Sequence, residues 1–151
     1  MKIRTAFVAV LALVAAVAVT GCGHLMMMMH GSGVARPAET EYGTGPRSSA
    51  SSQFTATLQP DQPLRPRRMQ TVRVAITDAA GAPVDNATIQ VDGGMPQHGH
   101  GLPTRPRVTR ALGNGLYEIE GVRFNMGGWW EFKLAINAAS GSDIVTFNLA
   151  L

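Results

Sequence analysis

Along the last two-thirds of the chain, hydrophobic and polar positions alternate in short runs, each broken by turn-forming residues. Phe54-Thr55-Ala56-Thr57-Leu58 is the first run, and Pro60-Asp61 ends it. Val72-Arg73-Val74-Ala75-Ile76-Thr77 follows, with Asp78-Ala79-Ala80-Gly81-Ala82-Pro83 as its turn. Ala87-Thr88-Ile89-Gln90-Val91-Asp92 closes on Gly93-Gly94. Val108-Thr109-Arg110-Ala111-Leu112 leads into Gly113-Asn114-Gly115, and Leu116-Tyr117-Glu118-Ile119-Glu120 answers it. Asn-Gly supplies the positive φ angles a two-residue hairpin needs. Val122-Arg123-Phe124, the run from Trp130 to Ile136 and the run from Ile144 to Leu149 complete the set. Successive strand side chains face opposite sides of a sheet. Phe132, Leu134 and Ile136 are therefore expected to point inward, and Glu131 and Lys133 outward. Period-2 runs with no helical spacing predict an all-β fold, an immunoglobulin-like β-sandwich of seven or eight short strands over residues 53–151.

The first residues follow another rule. Met1-Lys2-Ile3-Arg4 precedes an unbroken apolar and small-residue run from Ala6 to Val19, the plan of a secretory signal over residues 1–21. The run is shorter than the roughly 20 apolar residues a stable transmembrane helix prefers. An uncleaved amphiphilic anchor is the alternative. Val19-Thr20-Gly21-Cys22 resembles the lipobox of bacterial lipoproteins, in which a peptidase cuts before a cysteine acylated by groups such as palmitate. The expectation is a lipid-anchored protein of the cell envelope, held to the membrane through Cys22 and facing the periplasm. Gly23 does not match an inner-membrane retention signal, which favours the outer membrane.

Residues 22–52 are expected to form a tether. His24-Leu25-Met26-Met27-Met28-Met29-His30 opens it, and a stretch rich in Gly, Ser, Ala, Pro and Thr continues to Ser52. Such a segment buries too little to offset the entropy of ordering it. Cys22 is the single cysteine, which excludes an intrachain disulfide and a CxxC metal or redox site.

The chain holds 13 Lys and Arg against 10 Asp and Glu. Loss of Lys2 and Arg4 with the signal leaves a net charge of about +1, which argues against a nucleic-acid partner. Arg65-Pro66-Arg67-Arg68 and Arg105-Pro106-Arg107 read as solvated turns, with contact to anionic lipid headgroups as the minor alternative.

No GxSxG, P-loop, GxGxxG or HExxH pattern occurs, and no enzyme is expected. Glu118 and Glu120 lie two apart on one strand and read as a solvated face rather than a catalytic carboxylate pair. Gly93-Gly94-Met95-Pro96-Gln97-His98-Gly99-His100-Gly101 is the stretch with chemical character. His98 and His100 are two apart, so in extended backbone both imidazoles project to one side. Imidazole with thioether suits copper: nitrogen for Cu(II), and sulfur increasingly for Cu(I). The candidate metal site is His98, His100, Met95 and Met126, the last from Phe124-Asn125-Met126-Gly127-Gly128-Trp129-Trp130. An indole beside a soft cation would add cation–π attraction. His24, Met26, Met27, Met28, Met29 and His30 form a weaker second candidate that could wrap Cu(I). The plainer readings are that the methionines fill the core or lie in the lipid interface and that the histidines pin a loop.

The stretch from Met95 to Gly101, followed by Val108, Gly115-Leu116-Tyr117, Gly121-Val122, Phe124, Met126-Gly127-Gly128 and Trp130-Glu131-Phe132, resembles the YtkA-like domain. The resemblance covers roughly Gln53 to Leu151. It implies an extracytoplasmic immunoglobulin-like sandwich akin to FixH-type and CopC-like proteins, and no settled activity. CopC-like proteins bind copper through an N-terminal histidine, a mode that an acylated Cys22 would block. The expected function is a non-enzymatic envelope lipoprotein that binds copper, or another soft metal, for delivery, storage or resistance. A structural module docking on a periplasmic or membrane partner without metal is the alternative, and an accessory subunit for transport or respiratory-complex assembly is a third.

Overall fold

The computed structural model describes residues 33–151. The expected signal, Cys22 and the Met26–Met29 cluster with its flanking histidines lie outside these residues. Nine strands follow one 3-10 turn at Glu39–Glu41. They are β1 (Arg47–Ser48), β2 (Phe54–Pro60), β3 (Gln70–Asp78), β4 (Thr88–Met95), β5 (His100–Gly101), β6 (Arg107–Gly113), β7 (Leu116–Val122), β8 (Trp129–Ala138) and β9 (Gly141–Ala150).

Every strand pairing is antiparallel, in the order β1-β2-β3-β7-β6-β4-β8-β9, with β5 on the β4 edge. The path folds into two layers, because β4 and β6 meet only at Gln90 and Arg107. One layer is β1-β2-β3-β7-β6 and the other β5-β4-β8-β9. On the far side the layers approach again. Tyr42 bridges Asn148, the Gly43 N–H donates to the Asn148 carbonyl at 2.9 Å, and the Ala50 N–H to that of Ile144 at 2.9 Å. The result is a nearly closed sandwich.

The core between the layers includes Phe132, Leu134 and Ile136, the three side chains that alternation assigned inward. Phe54, Ala56 and Leu58, then Val72, Val74 and Ile76, then Phe132, Leu134 and Ile136, then Val145, Phe147 and Leu149 are buried. Glu131 and Lys133 point outward and pair at 2.7 Å. Both Trp129 and Trp130 are buried, and Trp130 packs edge-on against Phe124 with centroids 5.2 Å apart.

The hairpin expected at Gly113-Asn114-Gly115 joins β6 to β7. Asn114 (φ 51°) and Gly115 (φ 70°) supply the two left-handed positions a primed turn needs. A Cβ at Gly115 would also run into the Ile76 carbonyl oxygen.

Three local expectations are corrected. Residues 39–52, read as tether, pack on the sandwich: Thr44 accepts the Leu58 N–H at 2.9 Å, and β1 pairs with β2. Their weak apolar content is offset by backbone hydrogen bonds to strand edges, which composition does not reveal. Val122-Arg123-Phe124 is not a separate strand. Val122 ends β7, and Phe124 is a buried loop residue under Trp130. Glu118 is not a solvated side chain either. It is buried on the outer face, where Arg110 donates to it in bidentate fashion at 2.7 and 2.8 Å and Arg73 lies at 4.0 Å.

Candidate functional site

The Met95–Gly101 stretch forms a tight hairpin between β4 and β5, with Met95 opposite His100 and Gly94 opposite Gly101. The Met95 carbonyl accepts the N–H of His98 at 3.0 Å and of Gly99 at 2.9 Å. Pro96 presets the first turn position, and Gly99 takes the left-handed conformation (φ 63°) that returns the chain to β5. Gly94 keeps the hairpin narrow, since a Cβ there would lie 2.6 Å from the His100 carbonyl oxygen. This small turn carries His98 and His100 into solvent. Their rings lie side by side, with centroids 6.0 Å apart and planes inclined by 23°.

The two methionines behave differently. Met95 is 3% exposed and belongs to the core. Its methyl group lies against Gly128, where an added Cβ would be 2.8 Å away. Met126 is 40% exposed, in the loop between β7 and β8. That loop is held at this end of the domain. The Met126 carbonyl accepts the Trp130 indole N–H at 3.0 Å, and the Gly128 N–H donates to the Leu151 carbonyl at 2.7 Å. Since Gly128 touches Met95, the loop bearing Met126 and the β4–β5 hairpin occupy the same end of the sandwich.

The expected aromatic partner is turned away from this surface. Trp130 is enclosed, and the Trp129 indole N–H donates to Asn148 at 3.0 Å. Beside the hairpin, Gly93, Gly94, Met95, His100, Asp92 and Glu131 line a shallow depression of about 290 Å³. Among the described residues no group of three or more His, Cys, Asp or Glu side chains converges. Chemically, the arrangement offers two solvent-facing imidazoles, an exposed thioether in the adjoining loop, and a buried thioether beneath.

Sequence reasoning missed the role of Gln97, whose side-chain oxygen accepts the Arg36 Nε–H at 3.0 Å. A polar residue in a turn gives no sign of a partner 61 positions earlier. The family model for YtkA-like domains matches residues 48–135. No curated protein and no solved structure matches the chain.

Proposed function

The chain belongs to the YtkA-like family, and from that premise we propose that it is a lipid-anchored envelope protein capturing copper ions at the β4–β5 hairpin. Membership supports an envelope-associated domain and specifies no activity. The observation that carries the reading is the pair of exposed imidazoles, centroids 6.0 Å apart, on a hydrogen-bonded turn. Both rings are exposed, so modest side-chain rotation can aim two nitrogens at one ion, with metal–imidazole bonds of about 2.0 Å. Met126, exposed in the loop at the same end of the sandwich, is the proposed thioether partner, and it would favour Cu(I) over harder ions. Met95 acts beneath as packing that fixes the hairpin. The protein carries or stores the ion and performs no reaction on it. A lipid anchor at Cys22 would raise its effective concentration near a membrane partner.

The test is a titration of the full chain with Cu(I) and Cu(II) against a competing chelator. His98→Ala/His100→Ala should weaken binding by more than the roughly 10- to 100-fold that outer-shell substitutions cost. Met126→Ala should weaken Cu(I) binding selectively. Unchanged affinity in the double histidine variant would overturn the hairpin site. Loss only in His24→Ala/His30→Ala would move the site to the N-terminal cluster. One observation favours a metal-free docking module instead: no third His, Cys, Asp or Glu joins the pair among the described residues. Binding weaker than micromolar in the intact chain would decide for that reading.

A further inference from the structure

Charge is distributed unevenly between the two ends of the sandwich. The loops joining β2 to β3, β5 to β6 and β7 to β8, with the first residue of β6, carry Arg65, Arg67, Arg68, Arg105, Arg107 and Arg123. All six are exposed, and none enters an ion pair among the described residues. Carboxylates also lie here: Asp61, engaged by Arg73 at 2.9 Å, Glu39, which shares a hollow with Arg36, Glu120, opposite Arg107 in the β6–β7 pairing, and, beside the β4–β5 hairpin, Asp92 and Glu131, the latter paired with Lys133; the six arginines of these loops and Arg36 outnumber them. The opposite end, with the β3–β4, β6–β7 and β8–β9 turns, carries Asp78, Asp85 and Asp143 and no Lys or Arg.

The basic end is also built rigidly. Gln70 accepts the Arg65 N–H at 2.8 Å and donates to the Arg65 carbonyl at 3.0 Å, clasping the β2–β3 loop like an extra strand pair. Arg67, in a left-handed conformation (φ 64°), donates its N–H to the Phe124 carbonyl at 2.7 Å and locks that loop to the next. The Thr104 hydroxyl donates to the Gly121 carbonyl at 2.7 Å, tying in the third. Arg65, Arg68 and Met69 border an open hollow of about 510 Å³.

Apolar side chains are exposed among these charges. Met69 is 62% exposed, and Met126 lies in the β7–β8 loop. Val34, 49% exposed, lies two residues before Arg36, whose guanidinium is bonded to Gln97 of the β4–β5 hairpin. The first described residues therefore lie at this same end.

We propose that the arginine-rich end of the domain docks on an anionic phospholipid surface. The guanidinium groups take the phosphodiester headgroups, and Met69 enters the interface between them. Unpaired arginines interleaved with exposed apolar side chains match a surface whose charge overlies hydrocarbon. The carboxylates at the far end orient the domain, because they are repelled from the same surface. This inference does not depend on copper binding.

The test uses the full chain carrying Met69→Trp on vesicles whose acyl chains are brominated, with the unsubstituted chain as background for Trp129 and Trp130. Vesicles of phosphatidylcholine alone are compared with vesicles that also contain phosphatidylglycerol. Quenching of the new indole should occur with phosphatidylglycerol, be absent without it, and reverse at high salt. Each arginine near an anionic surface contributes about a fivefold factor, so Arg65→Gln/Arg68→Gln should lower the docked-to-undocked ratio roughly 25-fold. Equal quenching on both vesicle types would overturn the proposal, since an N-terminal anchor alone would then hold this end at the surface. So would no quenching on either, or quenching that persists in the double arginine variant.

Discussion

Tyr117 illustrates how one side chain fixes the path of a loop that has no strand of its own. Its hydroxyl donates to the Val84 carbonyl at 2.7 Å and accepts the Ala87 N–H at 2.9 Å, while the ring is buried in the core. The β3–β4 connection is thereby pinned to β7, 30 or more residues away. Tyr117→Phe leaves the ring in place and strands one buried acceptor and one donor, which costs about 1–3 kcal/mol. Urea unfolding of the variant should show a lower midpoint with an unchanged slope, the sign of lost native stability rather than an altered unfolded state. Glu118, the next residue, marks the limit of reading single positions from sequence. Alternation correctly sends it to the outer face, but outward is not the same as solvated. Arg73 of β3 and Arg110 of β6 stand opposite it because β7 lies between those two strands. That strand order cannot be read from a pattern of local runs, so the arginine cover over Glu118 was invisible.

Among the elements, β2, β3, β8 and β9 were legible because their alternation is the direct trace of one buried face. The hairpin at Asn114-Gly115 was legible because its backbone demands particular residues. The contacts that close the sandwich were not, since they involve short polar segments. The clearest case is the junction between the loop after β1 and the β8–β9 hairpin. The Asp143 carboxylate accepts the backbone N–H groups of Ser51 and Ile144, both at 2.8 Å. The hydroxyl of Ser49 is the largest influence holding its pKa below the ordinary value of 3.8, and the backbone donors reinforce it against a smaller opposing desolvation. Lowering a carboxylate's pKa in the folded state means that the folded protein binds its proton less readily than the unfolded chain does. The contribution is fully present above 3.8 and is lost as pH falls through the lower folded value. Asp143→Asn should therefore separate from the parent chain at neutral pH and converge with it on acidification. A series of urea melts across that range reads this directly. A constant gap between the two chains at every pH would mean that the carboxylate's charge is irrelevant to the junction.

On the scale of the whole molecule, the question is where the folded unit begins. Composition places the boundary at residue 53, and the family match begins at residue 48. The structure carries folded chain back through the turn at Glu39–Glu41 to the Arg36–Gln97 bond. The candidate site at the β4–β5 hairpin was half legible for a related reason. His98 and His100 are neighbours in sequence and so were found together, whereas the depths of Met95 and Met126 depend on how the layers close. Residues 39–52 complete that closure, covering the β2 edge with β1 and linking it to β9 through Tyr42, Gly43 and Ala50. A chain starting at Gln53 would keep nearly every core side chain but expose β2 as a bare edge. Unpaired edges open readily and template association between copies. Such a chain should show faster amide exchange in β2 and β9 than the full chain does, with slow exchange retained in β4 and β8, whose pairing runs from Thr88–Asn137 to Gly94–Glu131. It should also self-associate at concentrations where the full chain does not. Equal protection of β2 and β9 in both chains would show that the two layers hold together without their polar clasp, and that residue 53 is a sufficient start.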